Sequence, residues 1–171
     1  MVMLSIDIRS LSAQAAIVDG VLAADDPVWE EADVRPRDGL QVTGRLSRAG
    51  GDRYYFSGRI EGTLEMPCRR CLNTASEHVR EEIHVLFSEP GAEGADDPDV
   101  FVIPRHAGEL DLRPAAREQW LLAAPTFVEC SAECRGLCPR CGADLNQGPC
   151  DCPPVTDARW DALRALRERA Q

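Results

Sequence analysis

Eight cysteines in four close pairs constrain this chain more than any other feature. Cys68-Arg-Arg-Cys71 stands alone upstream, whereas Cys130, Cys134, Cys138, Cys141, Cys150 and Cys152 crowd into one short stretch. Two intervening residues, as in Cys68–Cys71 and Cys138-Pro-Arg-Cys141, let both thiolates face one ion, and Gly142 lets backbone amides turn toward the sulfurs. The spacing predicts two tetrahedral Zn2+ sites of four thiolates each. Cys68, Cys71, Cys130 and Cys134 are assigned to one site, and Cys138, Cys141, Cys150 and Cys152 to the other. The second closes within one short loop. The first requires the Cys68 turn to meet the chain after Pro125. Exchange of partners among the six downstream cysteines, with Cys68 and Cys71 left as a free or structural pair, is the alternative.

Other uses of cysteine fit less well. A disulfide scaffold carries a larger cysteine fraction in a secreted chain, and Met1-Val-Met-Leu-Ser-Ile-Asp has no basic segment leading into an apolar run. A redox motif needs one C-x-x-C, not four pairs. Buried free thiols rarely cluster among Gly, Pro and Asp. Metal-type cysteines without a targeting signal place the chain in the cytoplasm, and nothing approaches the ~20 apolar residues of a membrane span.

At 171 residues the chain can hold one ordinary core plus a small metal-held appendage. The division expected is a β-rich core with the first knuckle and a helix over 1–125, then a cysteine-rich zinc segment and C-terminal helix over 126–171. Net charge is -10, which argues against non-specific nucleic-acid binding. All basic residues are Arg.

The fold signal is period-2 alternation. Val2, Leu4, Ile6 and Ile8 read as a half-buried strand. Leu40, Val42, Gly44 and Leu46 share a strand face, Ala49-Gly-Gly-Asp52 turns the chain, and Tyr54 through Met66 continues the pattern to Cys68. The first knuckle thus stands where a hairpin turn would, and Val79, Ile83, Val85 and Phe87 lie on the returning strand. Gly58 and Gly62 inside so long a strand suggest bulges and strong curling. Residues Leu11 to Glu31 are ambiguous, with a short helix over Ala13 to Ala24 weakened by Gly20 and Pro27. Ser88 to Asp99 reads as a solvated loop and Val100 to Ile103 as a short edge strand. Pro114 starts a helix with Ala116, Trp120 and Ala123 on one face, stopped by Pro125. A last helix is expected from Asp157 to Arg169. The fold class is α+β: a curled antiparallel sheet or small barrel with a few short helices and a C-terminal zinc-binding segment.

No phosphate loop or nucleophile elbow is present. His78 and His84 fall on the solvent side of their strand, and His106 in a loop. All-cysteine sites are closed and structural, whereas catalytic zinc keeps an open position. The residues point to a binding or assembly protein without a small-molecule substrate, not to an enzyme. A thiol-based redox or zinc-responsive regulator is the alternative.

Several segments in order resemble the YceD family, described as large ribosomal RNA subunit accumulation proteins. They are Cys68-Arg-Arg-Cys71-Leu72 after a long strand, Glu109-Leu-Asp-Leu112 leading into Arg117-Glu-Gln-Trp-Leu-Leu-Ala-Ala-Pro125, Cys134-Arg-Gly-Leu-Cys-Pro-Arg-Cys-Gly142, the Asn146 turn, and Asp157-Ala-Arg-Trp-Asp-Ala-Leu163. The resemblance implies a cytoplasmic, non-enzymatic factor supporting accumulation of large-subunit (23S) ribosomal RNA. Its partner would be a large-subunit ribosomal precursor, through a basic ribosomal protein or structured RNA. The acidic charge complements the basic protein better. Two surfaces are candidates for that contact: the knuckle tip at Arg69 and Arg70, and the exposed side of the helix from Arg117 to Leu122.

Overall fold

The computed structural model describes residues 4–12, 15–92, 94–153, 158–160 and 166. Strand alternation sets its architecture. Strands β1 (Ser5–Asp7), β2 (Ala16–Leu22), β3 (Leu40–Arg48), β4 (Arg53–Pro67), β5 (Thr74–Ser88), β6 (Val100–Val102) and β7 (Glu109–Asp111) precede the helix α1 (Arg113–Ala123). Short 3-10 turns occur at Ile8–Ser12 and Ala158–Trp160. The expected helix from Asp157 to Arg169 falls largely outside the described residues. Among the described residues no helix is long and apolar enough to cross a membrane.

Five strands form one sheet in the order β2-β3-β4-β5-β6, antiparallel except for the β5–β6 pair, and β1 pairs with β7 in a separate ribbon. The sheet is open: β2 and β6 are its two edges, so the barrel alternative does not hold. Its inner face has no need to close on itself, because other elements cover it. Leu4, Ile8 and Leu11, the ribbon residue Leu110, and Ala115, Ala116 and Trp120 of α1 join one hydrophobic cluster with the sheet's Leu40, Val42, Leu46, Phe56, Ile60 and Leu64. The other face meets solvent, and this one-sided burial produces the alternation.

Two sequence expectations change at β2 and at the glycines. Ala16–Leu22 is a strand, not a helix: it pairs with β3 over its whole length, burying Val18 and Leu22 while Ile17 and Val21 face outward. The glycines are not bulges, since the β3–β4 and β4–β5 registers run without interruption. Gly44 and Gly58 are directly paired, and the Phe56 ring lies over them. A Cβ on Gly58 would stand 2.7 Å from Phe56 Cζ and 2.8 Å from the Gly44 Cα. A Cβ on Gly62 would stand 3.0 Å from Trp120 Cζ3, so its absence admits the helix to the sheet.

Helix α1 has Pro114 in its first turn, with the Asp111 carboxylate accepting the Arg113 amide, and ends at an extended Ala124 before Pro125. Trp120 is fully buried and donates from Nε1 to the Val34 carbonyl at 2.7 Å.

Candidate metal centres

The longest hairpin ends in the first knuckle. β4 and β5 remain paired up to Pro67 and Thr74, after which the Cys68 amide donates to the Asn73 carbonyl and the Leu72 amide to the Cys68 carbonyl. The second knuckle repeats this pattern, with the Cys138 amide donating to the Ala143 carbonyl and the Gly142 amide to the Cys138 carbonyl. Each places the residue after its second cysteine in the left-handed region, Leu72 at φ 62° and Gly142 at φ 73°.

Cysteine-rich chain is laid along the first knuckle. Cys68 bridges Val128 in parallel, the Arg69 amide donates to the Val128 carbonyl, and the Leu137 amide donates to the Arg70 carbonyl. Gly136, at φ 73°, lets this approach happen, because a Cβ there would stand 2.9 Å from the Arg70 carbonyl oxygen. Two cysteine tetrads result: Cys68, Cys71, Cys130 and Cys134, and Cys138, Cys141, Cys150 and Cys152. In each, all sulfurs lie within 4.8 Å of one another. The Cys68–Cys134 and Cys71–Cys130 sulfurs are 3.9 and 3.6 Å apart. Four sulfurs at ~2.3 Å from a tetrahedral ion stand about 3.8 Å apart, so this donor set suits a metal such as Zn2+.

Backbone amides prepare one thiolate in each tetrad. The amides of Cys71, Cys130 and Arg70 pull the Cys68 thiol down to about 6 against its desolvation. Those of Cys141 and Arg140 pull Cys138 to about 6. Crowded sulfurs do the opposite: Cys134 and Cys71 push Cys130 up to about 12, and Cys141, with burial, pushes Cys152 to about 12. A divalent cation among the sulfurs would remove the mutual repulsion that pushes Cys130 and Cys152 up.

The tetrads differ in setting. Cys68, Cys71 and Cys134 are buried members of the main hydrophobic cluster, while Cys130 is exposed. In the second tetrad only Cys138 is buried. Of the polar residues that join them, the sequence reading named Asn146 only as a turn and missed Asn73 and Asp144. The Asn146 amide group donates to Cys134 Sγ at 3.5 Å and to Asp144, and its Oδ1 accepts the Arg135 amide at 2.8 Å. Asn73 donates to Asp144 at 2.9 Å, tying the first knuckle to the second. An Asx pair spaced by two residues just after a C-x-x-C is the signal that could have shown this.

The three arginines singled out as partner contacts fall in two places. Arg69 pairs with Glu129 and lies 4.4 Å above the Phe127 ring, with Arg70 also near Glu129. Both side chains remain about half exposed. Arg117 instead points inward, gripping Asp33 through two hydrogen bonds of 2.7 and 3.0 Å, with Glu30 2.9 Å away. This contact fastens α1 to the loop before β3, and the Arg117 side chain is only 22 % exposed. The helix instead presents Leu122 to solvent.

A family profile described as "Large ribosomal RNA subunit accumulation protein YceD" matches residues 56–167. The chain belongs to the YceD family. The matched range holds both tetrads, α1 and the long hairpin from Phe56 onward. A chloroplastic YCED homolog 1 of Arabidopsis thaliana, named as a large ribosomal RNA subunit accumulation protein, is 25 % identical over 147 residues, covering 68 % of this chain and 45 % of its own length. A Zea mays protein of the same name is 23 % identical over 86 % of this chain and 58 % of its own. Uncharacterised proteins of Mycobacterium tuberculosis and M. bovis are 28 % identical over 61 % of this chain and 53 % of theirs. The chain thus spans about half the length of these curated relatives. No solved structure matches it.

Proposed function

We propose that this YceD-family chain is a non-enzymatic cytoplasmic factor supporting accumulation of large-subunit ribosomal RNA, acting on a large-subunit precursor and stabilised by two Zn2+ ions. The family description and the names of the plant relatives support the ribosomal part. The observation that carries the structural part is the pairing of all eight cysteines into two all-sulfur tetrads. A metal bound there would meet four thiolates and keep no position open for substrate, so it supplies cross-linking, not catalysis. Cys68, Cys71, Cys130 and Cys134 would hold one ion and staple the cysteine-rich segment to the hairpin tip. Cys138, Cys141, Cys150 and Cys152 would hold the other and shape the surface beyond it.

The knuckle tip is the contact surface of this reading, since Arg69 and Arg70 project there beside an exposed Phe127. The test pairs a gene knockout with elemental analysis. Cells lacking the protein are expected to hold too little large-subunit ribosomal RNA relative to small-subunit RNA, and protein purified without chelator to carry two zinc ions. A chain in which Arg69 and Arg70 are both replaced by Ser keeps its zinc but fails to restore the RNA ratio. A normal ratio in the knockout overturns the assembly role. Rapid alkylation of metal-loaded protein favours a thiol-based regulator instead.

A further inference from the structure

The solvent face of the five-stranded sheet is electrostatically divided along the strands. Toward the knuckle it carries acids with matched cations: Arg59 pairs with Glu82, Arg80 and His78 with Glu61, and Arg37 with Glu65. Toward the β3–β4 turn the same face shows Arg45, Ser47, Arg53, Tyr55, Ser57 and His84, with no carboxylate on those strand rows. The register sets Arg45 and His84 on either side of Ser57, and Tyr55 diagonally next to His84. The Tyr55 and His84 rings are parallel to within 7°, their centroids 6.0 Å apart, with the phenol oxygen 2.9 Å from His84 Nδ1. At that separation the rings are offset and do not cover one another. Tyr55 is 39 % exposed. Arg45 and Arg53 enter no ion pair among the described residues, although the chain as a whole carries a net charge of -10.

We propose that this half of the sheet face binds unpaired RNA, with bases stacking on Tyr55 and His84 and phosphates meeting Arg45 and Arg53. The proposal rests on the ribosomal-RNA reading above and adds to the knuckle tip a second surface, one that meets the RNA itself. Two hydrogen-bonded parallel rings on a rigid strand pair form a platform suited to π-faces, and stacking on such a platform tolerates any base. Guanidinium groups without acidic partners complete a strand-binding surface. A basic protein segment would meet two uncompensated cations here, so charge complementarity favours a polyanion. The aromatic pair favours nucleobases over a bare phosphate. The net charge of -10 disfavours the strand over most of the remaining surface, so these two cations weigh more than they would on a basic protein.

The assay is fluorescence anisotropy of a labelled oligouridine of about 12 nucleotides with the zinc-loaded 171-residue chain at low salt, against duplex RNA of equal length. Single-stranded RNA is expected to bind better than duplex, and two phosphate contacts give a log–log salt slope of about -1.4. Tyr55→Ala weakens binding at least about fivefold, and Arg45→Glu weakens it as well. Tyr55→Phe, which keeps the ring and loses only the bond to His84, retains binding and shows that the aromatic surface carries the effect. Equal affinity for duplex, or affinity unchanged in both Tyr55→Ala and Arg45→Glu, overturns the proposal. So does binding of a large-subunit protein, and not of the oligonucleotide, that Arg45→Glu abolishes. The knockout ratio of ribosomal RNAs is a separate readout: a normal ratio sinks the assembly role, whereas unchanged oligonucleotide binding sinks only this surface.

Discussion

Stripping metal with a chelator should open the chain from Cys130 to Cys152 and leave the sheet closed. Ordering backbone takes about 1–2 kcal/mol per residue, on the order of 30 kcal/mol for this stretch. Its larger apolar side chains, Leu137 and Leu145, are only partly buried and offer roughly 3 kcal/mol together. The few backbone hydrogen bonds around the second knuckle, such as Cys138 to Ala143 and Leu145 to Gly136, add about 1 kcal/mol each. The shortfall is about 20 kcal/mol, which two structural zinc ions at roughly 10 kcal/mol or more apiece can meet. The sheet has no such deficit, because Leu40, Leu46, Phe56, Ile60 and Leu64 are buried without any metal. Hydrogen exchange read by mass spectrometry checks this. Peptides across Cys130–Cys152 should lose protection on chelation, and those across Tyr54–Met66 should keep it. Equal loss in both regions, or none in the first, would refute the reasoning.

Three further outcomes follow from individual contacts. Gly58→Ala forces a Cβ toward the Gly44 backbone and the Phe56 ring, and should destabilise the chain by about 1–3 kcal/mol in urea titration; Ser57→Ala on the opposite face should be near neutral. Asn146→Ala removes the donor to Cys134 Sγ, and should weaken zinc at the first tetrad by about 10–100-fold in competition with a chromogenic chelator. Arg117→Met should destabilise the fold and leave zinc content unchanged. Its hydrogen bonds hold the Asp33 carboxyl below the usual range, so their stabilisation is complete above the unfolded value of about 3.9 and is lost as pH falls through the lowered one. The wild-type advantage over Arg117→Met in the urea midpoint should therefore shrink across that acidic window.

What the chain discloses about itself depends on how far apart the cooperating residues lie. The β3–β4–β5 alternation is legible because each strand carries its own pattern, and the register sets buried Leu40, Phe56 and Ile83 on one face. The grouping of cysteines is legible for a related reason: a four-thiolate site needs two close pairs, and few pairings are available. By contrast, Ala16–Leu22 is alanine-rich upstream and becomes a strand only because β3 offers it an edge. Gly58 looks like a bulge locally, since nothing nearby reveals that Gly44 must lie against it. Arg117 looks like a solvent-facing helical cation until folding brings Asp33, distant in sequence, within 2.7 Å.

The two knuckles show the same limit within a single motif. Gly142 announces a left-handed turn after Cys141, and the turn is there. Leu72 occupies the equivalent position after Cys71 at φ 62°, a conformation a branched apolar residue avoids by itself. Its hydrogen bonds explain why it stays: Leu72 donates to Cys68, and Cys68 donates in turn to Asn73, all at the end of a continuously paired hairpin. Strain at one residue persists where its surroundings over-determine it. Here the surroundings are the hairpin, the isolated bridge to Val128 and the shared sulfur tetrad. In the second knuckle, built from a loop with little packing of its own, glycine is the residue that can take the turn without such support.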